Sequence, residues 1–326
     1  MKPLRIIVMG TGPFAVPMFR ALAASPHAIV AVVTRPDHAP PGRRPPPNPM
    51  REAATAAGVA ILDPEKVNDP TVVASLAALR PDLFVVCDYG QILSRDLLAV
   101  PPLGGINLHG SLLPRHRGAA PVQWAIREGD PESGASVIHM TPALDAGNVI
   151  VARSTPVGPR ETAADLEPRL AALGAEAVIE AVERLQAALA TSGTVAGIGI
   201  PQDAARATRA PRLTKADGIV DWSLSAAVIE RRRRALEPWP RLTTFVTRGD
   251  GQRQRLVLED IEAAAAANAA AAPPGTVLDT AGGRLVVACG GGTAVAVTRL
   301  VPEGRRSMTA AEFLRGSSLL PGAVLG

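Results

Sequence analysis

The fold of this chain is best approached from residues 105–121, which read Gly105-Ile106-Asn107-Leu108-His109-Gly110-Ser111-Leu112-Leu113-Pro114-Arg115-His116-Arg117-Gly118-Ala119-Ala120-Pro121. Ile106 and Leu108 alternate with polar residues, and this period of two predicts a short strand. The side chains of Asn107 and His109 then both project from the opposite face of the strand. Because open parallel sheets bind ligands at the carboxyl ends of their strands, the amide and the imidazole predict a reactive pair there.

The spacing of Asn107 and His109 alone also fits a hydrogen-bonded structural pair. The complete string favours catalysis, because it closely resembles the signature of the 10-formyltetrahydrofolate-dependent formyltransferases. The resemblance implies that Asn107 and His109 act on the formyl group and that Asp145, in Leu144-Asp145-Ala146-Gly147, is a third catalytic residue. It also implies that 10-formyltetrahydrofolate is the formyl donor. The loop that would lie against the folate consists of Ser111, Leu112, Leu113 and Pro114.

The beginning of the chain predicts a strand, a glycine-rich turn and a helix. Gly10-Thr11-Gly12-Pro13-Phe14-Ala15 approximates the G-x-G-x-x-A fingerprint of dinucleotide-binding folds, which alone would favour a dehydrogenase. The formyltransferase resemblance includes the same turn as a structural feature, so we expect its glycines to serve close strand-to-helix packing. Leu83–Cys87 is a continuous apolar run typical of a central parallel strand. These segments and the helical stretches between them predict an α/β fold with a doubly wound, mainly parallel Rossmann-like sheet.

A second loop of interest follows the Leu83–Cys87 run. Asp88-Tyr89-Gly90-Gln91-Ile92-Leu93 resembles the loop that cradles the pterin in this family, which implies folate contacts by Tyr89, Gly90, Gln91 and Ile92. Asp88 departs from the small residue usual at its position, and we expect its carboxylate to be solvated. Asp145 follows another predicted strand, residues 136–140. We therefore expect it at the same edge of the sheet as His109.

The composition is that of an ordinary globular chain. It has 326 residues, of which 47% are hydrophobic, enough for a substantial core and two domains. The first residues contain too short an apolar run for a secretory signal, and no later stretch could span a membrane. Cys87 and Cys289 fall on separate predicted strands and show no metal-ligand spacing. We therefore expect reduced core thiols, no metal and a cytoplasmic location.

Two domains and a polar linker are predicted. Residues 1–190 are the predicted formyl-folate-binding catalytic domain, 191–211 the linker, and 212–326 a small OB-like β-barrel whose last helix begins with a capping box at Thr309 and Glu312. Residues 207–326 include 16 Lys or Arg and 11 Asp or Glu, whereas residues 1–206 include 18 and 19. A basic second domain is the electrostatic signature expected of a protein that binds a phosphate backbone.

Two groups of arginines are candidates for RNA contact. Arg43 and Arg44 lie in a proline-rich segment that is either a stiff linker or, as a resemblance to the methionyl-tRNA formyltransferases implies, a loop that enters the tRNA acceptor stem. Prolines replace the lysines common in that loop. The second group lies on a predicted helix over residues 228–236, as a solvated face or an RNA-binding one. It consists of Arg231, Arg232, Arg233 and Arg234.

The resemblance extends over nearly the whole chain, because Trp222 and Pro238-Trp239-Pro240 resemble the C-terminal domain of the methionyl-tRNA formyltransferases. It implies that a monomer formylates the amino group of initiator methionyl-tRNA for translation initiation. The amine would attack the formyl carbon, Asn107 and His109 would donate to the oxyanion, and Asp145 would stabilise the protonated imidazole. Two alternatives stay open: a sugar-nucleotide N-formyltransferase with the same Asn, His and Asp, and a noncatalytic RNA-binding protein on this scaffold.

Overall fold

The chain divides into two units, each with its own sheet. A computed structural model describes residues 2–38, 46–195, 197–247, 251–317 and 319–326. The first unit comprises Met1–Pro121, Glu132–Pro156 and Leu166–Pro211. The second comprises Val122–Pro131, Val157–Asp165 and Arg212–Gly326. Two short segments from the first half of the chain therefore belong with the C-terminal sheet.

A mainly parallel sheet forms the centre of the first unit. Its strands, with a short two-stranded pair, are β1 Arg5–Gly10, β2 Ala28–Val33, β3 Ile61–Leu62, β4 Leu83–Cys87, β5 Gly105–His109, β6 Arg117–Gly118, β7 Glu132–His139, β8 Val149–Pro156 and β9 Arg209–Ala210. The order is β3-β2-β1-β4-β5-β7-β8, and β6 pairs with β9. Strands β1 to β5 run parallel, whereas β7 and β8 are antiparallel to their neighbours. The predicted α/β fold class is confirmed.

Helices flank this sheet, and several begin at side-chain caps. Asn48, Asp69 and Ser94 each accept a hydrogen bond from a backbone N–H of the following first turn, which satisfies a group that the helix itself leaves unpaired. The helices of the first unit are α1 Val16–Ala23, α2 Pro49–Ala56, α3 Pro70–Ala78, α4 Arg95–Leu98 and most of α6 Ala163–Ser192, whereas α5 Pro121–Glu128 belongs to the second unit except for its first residue. Strand β4 is buried along its full length, as expected for a strand covered on both faces.

The strand order places three loops at one edge of the first sheet. The order reverses between β1 and β4, and β5 lies next to β4. Loops that follow parallel strands at such a reversal surround the usual ligand crevice of doubly wound sheets. The turn after β1, the loop after β4 and the loop that begins at Gly110 therefore share this edge.

The segment predicted as a linker is attached to the first unit over much of its length. Ile200 and Val149 exchange two backbone hydrogen bonds of 2.8 and 2.9 Å. Arg209 and Ala210 of β9 pair in parallel with Arg117 and Gly118 of β6. These contacts place residues 200–210 beside the loop that follows β5.

The second unit contains an antiparallel sheet and short helices. Its elements are α7 Ala226–Ala235, β10 Thr243–Thr247, β11 Arg253–Ala264, β12 Val277–Asp279, β13 Leu285–Cys289, β14 Thr293–Pro302, β15 Met308–Thr309 and α8 Ala310–Arg315. The order is β10-β11-β14-β13-β12, with β15 on β14. The capping box predicted at Thr309 and Glu312 is confirmed. The buried indole of Trp222 donates to the Thr244 hydroxyl at 3.2 Å and so joins the start of this unit to β10.

The C-terminal residues connect the two edges of this sheet. Leu325 donates to the Gly275 carbonyl next to β12, and Gly326 donates to the Phe245 carbonyl of β10. The edge strands are thus linked through the end of the chain, the arrangement expected of a small closed β structure.

Cys87 and Cys289 are buried free thiols. Burial raises the pKa of both, to about 11 for Cys289. No described helix is both long enough and apolar enough to cross a bilayer.

Candidate active site

The end of β5 presents Asn107 and His109 on one face, as its alternation predicted. His109 is 5% exposed, and its Nε2 lies 2.9 Å from the His116 carbonyl oxygen. A carbonyl oxygen can only accept, so Nε2 carries a proton and donates to it. The backbone after β5 therefore fixes both the tilt and the tautomer of this imidazole.

Asp145 faces the other nitrogen of the same ring. Its Oδ2 lies 3.7 Å from His109 Nδ1 and accepts a 2.9 Å hydrogen bond from the Gly118 backbone N–H. Because Nε2 already holds a proton, a second proton on Nδ1 would make the ring a cation beside a carboxylate. The arrangement suits an imidazolium, with a separation slightly longer than a direct hydrogen bond.

Contacts of its backbone fix the turn that carries Asp145. Asp145 has φ +49°, in the left-handed region. A Cβ atom at Gly147 would lie 1.8 Å from the His139 carbonyl oxygen, so only glycine fits there. Gln202 donates through Nε2 to the carbonyl oxygens of Asp145 and Gly147, at 2.8 and 2.7 Å. No pattern in the sequence distinguishes Gln202, because it is a single polar residue in a segment without periodicity.

The side-chain amide of Asn107 is available to a ligand. The side chain is half-buried, and within the described part of the chain no group hydrogen-bonds to it. Its NH₂ group can therefore donate to a molecule that enters the edge of the sheet. Asn107, His109 and Asp145 together provide an amide donor, an imidazole and a carboxylate with which the imidazole can share a proton.

The loop after β5 is fixed by a serine on the neighbouring strand. Ser136 of β7 donates to the Ser111 carbonyl at 2.7 Å and accepts from the Leu113 N–H at 3.2 Å. Ser111 is buried, and its hydroxyl donates to the Arg115 carbonyl. Ser111 therefore supports the loop, whereas the half-buried Leu112, Leu113 and Pro114 form its accessible surface.

The loop after β4 shows a similar division. Tyr89 is buried, which raises the pKa of its hydroxyl to about 12. The Gln91 side chain accepts from the Val67 N–H at 3.0 Å and donates to the Tyr89 hydroxyl at 3.4 Å. These two side chains thus support the loop, and its exposed residues are Asp88, Gly90 and Ile92.

The turn after β1 explains why its glycines resemble a nucleotide fingerprint. A Cβ atom at Gly10 would lie 2.8 Å from the Cys87 carbonyl oxygen and 2.9 Å from the Ala15 Cβ, so this glycine permits close packing of strand and helix. The Asp88 carboxylate fills the space beside Gly12. It is exposed, and it would repel a phosphate at this turn.

The side chains of the arginine run on α7 contact other groups of the second unit. Arg231 donates to the Arg127 carbonyl and Arg232 to the Asp217 carbonyl, while Arg233 lies 3.7 Å from Asp260. Arg234 is 7% exposed, pairs with Glu230 at 2.7 Å and donates to the Glu161 carbonyl at 2.9 Å. The RNA-binding role of these four residues stays a prediction, and their side chains already have protein partners. Arg43 and Arg44 lie outside the described residues.

No group of three or more His, Cys, Asp and Glu residues in the described ranges has the arrangement of a metal site.

Two family models match the chain. The one described as formyl transferase matches residues 4–182, more than half of the chain, and the one described as formyl transferase, C-terminal domain, matches residues 212–318. The chain belongs to the formyl transferase family. The family resemblance recognised from residues 105–121 is thereby confirmed.

Within that family, relatives of nearly the same length are methionyl-tRNA formyltransferases. The one from Rhodopirellula baltica is 42% identical, over 99% of this chain and 96% of its own. The one from Anaeromyxobacter dehalogenans is 44% identical, over 96% and 97%. Among solved structures, HypX from Aquifex aeolicus in complex with tetrahydrofolic acid is 16% identical with a TM-score of 0.59, over 96% of this chain and 47% of that one, a likeness of fold.

Proposed function

We propose that this protein transfers the formyl group of 10-formyltetrahydrofolate to the amino group of initiator methionyl-tRNA. The observation that carries the proposal is the fixed imidazole of His109, with Asp145 at one nitrogen and a backbone carbonyl at the other. The nearly full-length similarity to methionyl-tRNA formyltransferases supports the choice of acceptor.

The chemistry follows from the charges that develop during acyl transfer. The uncharged amine attacks the formyl carbon, a C–N bond forms, and the carbonyl oxygen becomes an oxyanion. The Asn107 amide donates to that oxygen, and so does the protonated His109 ring, because Nδ1 is not saturated by Asp145 at 3.7 Å. The bond to folate N10 then breaks, the amine loses its proton, and N10 gains one. His109 is placed to relay this proton, with Asp145 stabilising the imidazolium.

The folate donor is proposed to lie between the loops after β4 and β5. The accessible parts of these loops are Gly90, Ile92 and the segment from Leu112 to Pro114. These offer backbone groups and apolar surface to a flat heterocycle. Ser111, Tyr89 and Gln91, which the sequence also assigned to folate, would act by holding the two loops in shape.

The tRNA is proposed to contact the basic C-terminal part of the chain, together with Arg43 and Arg44. On β11, Arg253 and Arg255 are exposed on one face, and the Arg253 guanidinium stacks on the Phe245 ring at 4.2 Å. Arg305 and Arg306 are exposed in the turn after β14. These four arginines are better placed for phosphate contact than those of α7, whose guanidinium groups bond to protein. We further propose that the protein acts as a cytoplasmic monomer.

The acceptor is tested with a labelled formyl donor. The full chain is incubated with formyl-labelled 10-formyltetrahydrofolate and, in parallel, with methionyl-tRNA, uncharged tRNA or a nucleotide-linked amino sugar. The proposal predicts label on methionyl-tRNA alone. Label on the amino sugar would support a sugar N-formyltransferase instead, and RNA binding without any labelled product would support a noncatalytic protein.

A further inference from the structure

We infer that Gln202 is a positioning residue that sets the Asp145 carboxylate against the His109 ring. The inference rests on the proposed formyl transfer, because Gln202 acts through these two residues.

Gln202 uses both ends of its amide. Its Nε2 donates to the Asp145 and Gly147 carbonyl oxygens at 2.8 and 2.7 Å. Its Oε1 accepts from Nε and Nη2 of Arg117, at 3.1 and 2.7 Å. Two carbonyls can only accept and a guanidinium can only donate, so this network admits a single orientation of the amide.

The two groups that Gln202 joins are the two that place Asp145. One is the backbone of the Asp145 turn itself. The other is the segment His116–Arg117–Gly118, in which the His116 carbonyl accepts from the His109 ring and the Gly118 N–H donates to the Asp145 carboxylate. One side chain therefore connects the anchor of the imidazole with the backbone of the carboxylate that faces it.

The Asp145 turn needs such an anchor. Its φ of +49° is unfavourable for a residue with a side chain, and such conformations persist only where surrounding contacts enforce them. Gln202 is itself held close by, since Ile200 and Val149 exchange two backbone hydrogen bonds next to the turn. Loss of the Gln202 amide would leave the carbonyls of Asp145 and Gly147 without these donors and would let the carboxylate move.

The test uses two variants of the full chain. Gln202→Met keeps the length of the side chain and removes its four hydrogen bonds, whereas Gln202→Glu keeps an acceptor for Arg117 and removes the donors to the two carbonyls. Gln186→Met is the matched control, because the Gln186 side chain likewise donates to a backbone carbonyl, that of Lys2 at 2.8 Å. Steady-state formylation of methionyl-tRNA is measured against pH for each variant, with the thermal midpoint and the ¹⁵N spectrum of the histidine rings.

A displacement of catalytic groups by about 1 Å can cost on the order of 100-fold in rate. We therefore expect kcat to fall about 10- to 100-fold in both Gln202 variants, with KM for folate and tRNA unchanged. We also expect an altered pH profile and shifted His109 nitrogen resonances. Gln186→Met should keep the parental dependence of rate on pH, even if its thermal midpoint changes.

Two results would overturn the positioning role. The first is that the parent is active and both Gln202 variants keep its kcat and its pH profile. The other is a loss of rate that only follows the loss of folded protein, with an unaltered profile and unaltered His109 resonances. A parent that forms no formylmethionyl-tRNA would instead refute the proposed function.

Discussion

The edge of the first unit that carries His109 and the helix of the second unit that carries Arg231 to Arg234 both concentrate polar side chains, but they hold them in different ways. At the edge, backbone groups hold the His109 ring and the Asp145 carboxylate, and the neighbouring Asn107 amide is open. On α7, the guanidinium groups bond to carboxylates and carbonyls of their own unit. A reactive site is thus distinguished by polar atoms that are held in place and still available, and not by the density of charge.

The largest effect that this comparison predicts is on His109. His109→Ala should lower kcat by about 10²- to 10³-fold, the scale of one oxyanion donor, with folate affinity little changed. His38→Ala is the control, because His38 is exposed and pairs with Glu65 at the surface. A folded His109→Ala protein with parental turnover would show that this edge is not catalytic.

Asp145→Asn should lower kcat by roughly 10²-fold and change the dependence of rate on pH, because an amide can hold the turn but cannot balance a charged imidazole. Steady-state rates between about pH 5 and about pH 9 measure this. Asp69→Asn is the control, since asparagine also caps a helix and only the charge is lost. If Asp145→Asn kept the parental pH profile, the carboxylate would have a positional role alone.

On α7, the comparison predicts a loss of stability. Arg234→Met should lower the free energy of unfolding by about 1–3 kcal/mol, because Glu230 and the Glu161 carbonyl lose a nearly buried partner. Urea denaturation measures it. Arg255→Met, at an exposed position of β11, should change stability by less than about 0.5 kcal/mol. Equal stability of the two variants would contradict the structural role of Arg234.

The exposed arginines should affect tRNA binding through salt. Removal of one arginine that binds a phosphate should reduce the slope of log affinity against log salt by about 0.7 to 0.9. A double substitution of Arg255 and Arg305 by Met should therefore raise KM for tRNA and flatten its salt dependence, while KM for folate stays the same. The RNA-binding surface would instead be assigned to α7 if two results were found together. The salt dependence would be unchanged in this double variant, and it would be flattened when Arg231 and Arg233 are neutralised.

The smallest predicted effect concerns Glu167 of α6. Burial, and then the charge of Asp88, raise the pKa of the Glu167 carboxyl above its usual 4.5. The folded chain therefore holds this proton more tightly than the unfolded chain, so Glu167 costs stability as pH rises above 4.5. Glu167→Gln should be more stable than the parent at pH 7, and the difference should vanish at acidic pH. A less stable variant at neutral pH would contradict this sign.

Local patterns predicted those parts of the site that lie on regular elements. The alternation of Ile106 and Leu108 placed Asn107 and His109 on one face of β5, and the Leu83–Cys87 run predicted β4 with its bounds. The hydrogen bonds that hold the site could not be predicted in this way. Gln202 is 85 positions from Arg117 and 57 from Asp145, and no periodicity connects them.

The arginine run shows the opposite limit of sequence reasoning. A cluster of four like charges on a helix is easily recognised, but its role depends on the groups that fold against it. For Arg231 and Arg234 these are backbone carbonyls of Arg127 and Glu161, which come from distant segments of the chain. A backbone carbonyl has no sequence signature, so charge alone could not predict where these side chains are directed.

The most direct test of the claim that the first unit performs the chemistry and the second binds phosphates is single-turnover formylation. Labelled 10-formyltetrahydrofolate is bound first, and the concentration of methionyl-tRNA is varied. We predict that His109→Ala lowers the maximal rate and leaves the half-saturating tRNA concentration unchanged. We also predict that the Arg255 and Arg305 double variant raises that concentration and keeps the maximal rate. If His109→Ala weakened tRNA binding at full rate, or the arginine variant lost rate at saturating tRNA, the assignment of chemistry to the first unit and of phosphate binding to the second would be wrong.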